Sequence, residues 1–135
     1  MFVFLSVLYL HVRIFKNTWF DRFADREGIT DDELTEAANL LEAGQADADL
    51  GGGVYKMRVA RPGEGKSGGY RVIVFFRSEE RTFFVYGFAK SDRANISQKD
   101  LSTLKKRAKI AFSYTDEGIR DLLKKGTFIE VREEA

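Results

Sequence analysis

Lys56 and Arg58 stand one residue apart in the stretch VYKMRV, so on an extended segment both side chains leave the same face. Arg61 and Lys66 follow in the glycine-rich stretch ARPGEGKSGGYR, and Arg71 closes it. Taken singly, each of these bases reads as a solvated surface residue. Five cations converging on one end of a sheet repel one another, and a fold tolerates that best where an anion is expected. The phosphates of RNA or DNA would satisfy them. Such a set can hold a phosphodiester, stabilise the charge of a crowded phosphorane and, through the lysine, move a proton.

The first eight residues of the same stretch also have the loose spacing of a nucleotide-binding loop that ends in Gly65-Lys66-Ser67. That loop must open a helix, whose free N–H groups hold the phosphates. Here Gly-Gly-Tyr-Arg-Val-Ile-Val-Phe-Phe follows, and its β-branched and aromatic residues continue as a strand. Nucleotide hydrolysis is therefore not expected, and the stretch reads as a basic hairpin.

The elements that must position these bases fit into one domain. The chain has 135 residues, 44% apolar, with 12 Phe, 5 Tyr and one Trp, enough for a real core. It has no cysteine, which removes disulfides, thiolate metal sites and a cysteine nucleophile, and which fits a reducing cytoplasm. The net charge of +1 points to no partner, but its distribution does. Residues 21–50 carry ten acids against two bases, a local net of −8. Residues 54–93 carry nine bases against four acids, a net of +5, and residues 98–125 eight against four, a net of +4. A polyanion is drawn to the second half.

The opening MFVFLSVLYLHVRIF is too short to span a bilayer, its bases follow the apolar run, and it has no small-residue cleavage site. Residues 12–15 read as a core strand, and 1–11 as an extra strand or an extension. Asn17 or Thr18 caps a helix bearing Trp19, Phe20 and Phe23, which Gly28 stops. Thr30 and Glu33 form a capping box on a second helix with an apolar stripe at Leu34, Ala37, Ala38 and Leu41. Three strands follow, in GGGVYKMRVAR, GYRVIVFFR and TFFVYGFAK, the last two joined by a short turn. Ser97 caps a helix with Leu101, Leu104, Ala108 and Ile110 to Phe112 inward, and a segment over 116–125 ends at Gly126. The tail 127–135 reads as a weak strand or a loose end. The order β-α-α-β-β-β-α-α predicts an α+β fold with helices packed on one sheet.

The segments FKNTWFDRFADREGI, DADLGGGVYKMRVARPGEGKSGGYR and FFVYGFAKSDRANIS resemble, in order and spacing, the RelE/HigB toxins of type II toxin-antitoxin systems, within the wider RelE/ParE toxin superfamily. The resemblance covers about residues 12–126. It implies a microbial RNase-like fold, a largely antiparallel sheet of about four strands with N-terminal helices on one side, and ribosome-dependent cleavage of mRNA. It implies a cognate antitoxin, of helix-turn-helix type, operator DNA bound only through the complex with it, and no cofactor or metal. Lys56 and Arg58 match the family's catalytic basic pair, Arg71 its catalytic arginine, and Lys90 the lysine after the last central strand. The family's arginine after that lysine and its base-stacking tyrosine are replaced by Ser91 and Ser97. Tyr70, Tyr86 or Arg93 are the candidates to stand in, with Arg61, Lys66 and Lys90 on the RNA backbone.

Cleavage through the ribose 2′-hydroxyl needs a proton acceptor, and the single histidine, His11, lies in the N-terminal stretch as a bystander. That leaves Lys56 as the candidate base, Arg71 as the candidate transition-state stabiliser, and Arg58 and Lys66 as candidate phosphate ligands. The rival reading is a non-catalytic protein of the same fold, aimed at DNA gyrase or degenerate. A membrane-associated role for residues 1–11 is a further, weaker one.

Overall fold

The computed structural model of the protein describes residues 12–61, 65–89 and 96–132. The segment 1–11 and the last three residues of the tail lie outside the described residues. Strand β1 (Ile14–Asn17) leads into helix α1 (Thr18–Glu27), where Asn17 accepts a hydrogen bond from the Phe20 amide and Gly28, at φ 74°, ends the helix. Helix α2 (Asp31–Glu42) begins at the expected capping box of Thr30 and Glu33. Strands β2 (Ala48–Gly51), β3 (Val54–Arg61), β4 (Gly65–Phe75) and β5 (Thr82–Ala89) follow, then helix α3 (Gln98–Ser113), helix α4 (Asp116–Lys124) and strand β6 (Phe128–Glu130).

The α+β expectation holds, but the sheet has six strands instead of about four, in the order β2-β3-β4-β5-β1-β6. All neighbours are antiparallel except β1 and β5. The additions are its two short edges. Strand β2 was hidden because ADLG has no run of β-branched residues; its pairing is fixed instead by the glycine turn. Gly51, Gly52 and Gly53 all take positive φ, and a Cβ on Gly53 would meet the Phe112 ring at 2.7 Å. Strand β6 is the tail, tied to β1 by the Val131 amide on the Ile14 carbonyl and by two hydrogen bonds from Arg13 to Glu130.

Helices cover both faces of the sheet, with the N-terminal pair together on one side as expected. Phe20, Phe23, Leu34 and Leu41 of α1 and α2 pack with Met57, Val59, Val72, Val74 and Phe84. On the other face Ala108, Ala111 and Ile119 of α3 and α4 pack with Phe15, Val54, Ile73, Phe75 and Phe83. Each fully buried Phe stabilises by about 1.5–3 kcal/mol relative to exposure. Ile110, expected inward, is 55% exposed. Lys16 of β1 is buried, and burial pulls its ammonium down, but hydrogen bonds to Asp21 and Asp31 outweigh that and hold it above the ordinary lysine value. It thereby anchors the first turns of α1 and α2.

Candidate functional site

The alternation of β3 and β4 decides which cations meet. Met57 and Val59 join the core under α1 and α2, so Lys56 and Arg58 leave the opposite face. On β4, Tyr70 and Val72 join that same core, so Arg71 leaves with Lys56 and Arg58. Arg58 and Arg71 are direct cross-strand partners. Two guanidinium groups placed opposite each other destabilise a sheet unless something lies between them.

That something is Asp47, which sequence reasoning missed. Its carboxylate lies 2.7 Å from Arg58 Nε, 3.8 Å from Lys56 Nζ and 3.9 Å from Arg71 Nε. Its amide donates to the Lys56 carbonyl at 3.0 Å, so the residue is held by backbone as well as by charge. The side chains are graded in depth, with Arg71 at 7% exposed, Asp47 at 14%, Lys56 at 18% and Arg58 at 48%. Arg71 forms the floor and Arg58 the rim. The signal was present in DADLGGGVYK: a tight glycine turn folds Ala48 back onto Lys56 and carries the preceding acid with it.

Tyr70 does not face this cluster. Its ring is buried edge-on against Phe23, 5.7 Å between centroids, and its hydroxyl donates to Glu27 at 2.9 Å. Adjacent strand residues point to opposite faces, so Tyr70 and Arg71 cannot reach the same ligand, and the expected stacking role for Tyr70 is withdrawn. Tyr86 is on the correct face. It pairs with Ile73, two residues from Phe88, the cross-strand partner of Arg71. Such diagonal neighbours lie about 7–8 Å apart. The side chains of Arg61 and Lys66, and Lys90 and Arg93 entirely, lie outside the described residues.

Beside Tyr86 stands Trp19, a second residue sequence reasoning used only for the core. Its ring lies 4.6 Å from Tyr86 and stacks at 5.4 Å on Phe23, yet it is 44% exposed. Phe23 reaches this place because residue 87 is glycine; a Cβ there would meet the Phe23 ring at 2.5 Å. Trp19, Tyr86, Leu104, Arg107 and Ile110 line a groove of about 430 Å³ between α3 and the sheet. That volume is within the range of small-molecule sites. Arg107 gives this groove its cation, while Lys105 of the same helix lies along the glycine turn at Gly51 and Gly52. Lys99, Lys106 and Lys109 are further exposed bases of α3.

Among the described residues no helix is long and apolar enough to cross a membrane. The model of one protein family, described as the RelE toxin of the RelE / RelB toxin-antitoxin system, matches residues 12–131.

Proposed function

The chain belongs to the RelE toxin family, toxins with a cognate antitoxin, and from that premise we propose that it is an endoribonuclease that cleaves mRNA on the ribosome and so halts translation. One observation carries the reading. Lys56, Arg58 and Arg71, drawn from two strands, converge on a single carboxylate on the sheet face that also bears Tyr86. A phosphodiester is an anion of similar size with the same bidentate appetite for guanidinium.

In the proposed reaction the 2′-oxygen attacks the adjacent phosphorus, its proton passing to Lys56. Arg71 stabilises the phosphorane and Arg58 holds its non-bridging oxygens. The bond from phosphorus to the 5′-oxygen breaks, and the proton is returned from Lys56 to that oxygen. A 2′,3′-cyclic phosphate and a 5′-hydroxyl result, with atoms and charge balanced and no metal or cofactor required. Tyr86, with Trp19 beside it, takes the place of the absent family tyrosine by stacking on a base. Arg61, Lys66, Lys90 and Arg93 contribute along the RNA backbone. The protein would act in the cytoplasm of a bacterium, as a HigB-type toxin. Its antitoxin would be a helix-turn-helix protein through which alone operator DNA is bound.

The test is growth arrest on expression, with mRNA integrity followed with and without translating ribosomes. Lys56→Ala, Arg58→Ala and Arg71→Ala are each expected to relieve arrest and leave transcripts intact. Arrest without RNA cleavage would instead favour the gyrase-directed reading, which the serines at 91 and 97 motivate.

A further inference from the structure

Asp47 stands where a phosphate has to come. One carboxylate oxygen engages Arg58 and the other faces Lys56 and Arg71, the three side chains proposed above to bind the scissile group. An ionised carboxylate presents the same guanidinium with the same pair of anionic oxygens that a phosphodiester does. We propose that Asp47 is an internal placeholder for the substrate phosphate, holding the cations in array while the site is empty and competing with RNA for Arg58. The inference rests on the nucleic-acid reading of the cluster.

Three features make this a competition and not only a support. The shortest ion pair, at 2.7 Å, is to Arg58, the exposed rim residue that an approaching phosphate meets first. The two longer ones are to the deeper Lys56 and Arg71, so the acid can release Arg58 and keep partners behind it. Asp47 also enters β2, a four-residue edge strand with a register shift between Asp49 and Gly51. Edge strands of this kind have few bonds to break when they move. The consequence is selectivity. A stray phosphate must displace a charge already in place, while an RNA that also fills the Tyr86 and Trp19 surface has further binding energy to set against it.

The test is binding of a short 2′-O-methyl RNA, which cannot be cleaved, followed by fluorescence anisotropy over a range of salt. Asp47→Asn is expected to bind it more tightly than wild type by about fivefold or more, the effect of removing one like charge at contact distance. Its logarithmic salt slope should steepen by about 0.7, one more phosphate neutralised on a single strand. Asp47→Glu, which keeps the charge, should bind as wild type does. Equal or weaker binding by folded Asp47→Asn would overturn the proposal. Inorganic pyrophosphate provides a second, independent readout, and Asp47→Ser takes the place of Asp47→Asn in both should the latter fold poorly. The pyrophosphate should raise the melting temperature of Asp47→Asn more than that of wild type, and an equal or smaller shift also overturns the proposal. Wild type that fails to bind the RNA at all fails the nucleic-acid reading, a result distinct from unaltered affinity in the variant.

Discussion

Along β4, Tyr70, Val72 and Val74 point toward α1 and α2, while Arg71, Ile73 and Phe75 point toward the side of α3. The two faces are made by alternate residues of one strand, yet only one is closed. Under α1 and α2 the sheet carries apolar side chains from β3 to β5, and its buried phenol, Tyr70, is satisfied by Glu27. On the other face the apolar residues stop short. Ile73, Phe75 and Phe83 are covered by α3 and α4, and beyond them come Arg71, Lys56, Arg58 and the groove beside Tyr86. The difference teaches a division of labour: the closed face supplies rigidity, and the half-open one places charge on a surface that cannot give way.

That division can be broken most directly on the closed face. Phe84, fully buried and 5.5 Å from the Phe20 ring, is expected to cost about 3–5 kcal/mol when replaced by alanine, read by denaturant melts. A loss below about 1 kcal/mol would mean that this face is not the scaffold, since fully buried Phe positions exceed it. Gly87→Ala comes next. Its Cβ must push the Phe23 ring away, at about 1–3 kcal/mol, and because Trp19 stacks on Phe23, tryptophan fluorescence should change with it.

Trp19→Ala sharpens the contrast from the open side. Half exposed, it should lower the melting temperature less than Phe84→Ala does. Its RNA affinity, however, should fall by about 1–3 kcal/mol, one stacked base. An affinity equal to wild type would remove the groove from the RNA surface. The smallest effect expected is at the sheet edge. The hydrogen bonds from Arg13, against the opposing pull of burial, hold the Glu130 carboxyl below its ordinary value. A folded-state value below the unfolded one contributes stability that is complete above the ordinary carboxylate range near pH 4.3 and is lost as pH falls through the folded value. Glu130→Gln should therefore flatten the acid limb of melting temperature against pH, with little change in its slope near neutrality.

Local signals were legible where one residue type has one physical use. Asn17, Gly28, Thr30 with Glu33, and Ser97 cap or stop the helices as their side chains dictate. The pairing of Lys56 with Arg58 followed from period two alone. What stayed hidden needed long-range information. Asp47 looks like one of ten acids in an acidic stretch, and only the pairing of β2 with β3 brings it among the bases. Trp19 satisfies the apolar stripe of α1, and nothing in a helical pattern tells that β1 ends in time to leave it beside Tyr86. The same period that paired Lys56 with Arg58, applied to residues 70 and 71, would have separated Tyr70 from Arg71. The sixth strand depended on a partner at the opposite end of the chain.

That last pairing bears on how the molecule is made. Arg13 and Glu130 meet across 117 residues, and β6 can dock only on the first strand of the domain. Contacts of such span are the slowest to form. During synthesis, β1 can pair with β5 but must wait for β6, leaving an unpaired border that invites another strand. Completion of this domain is thus timed by its final segment, and a newly made copy passes through an interval in which its edge is open to capture.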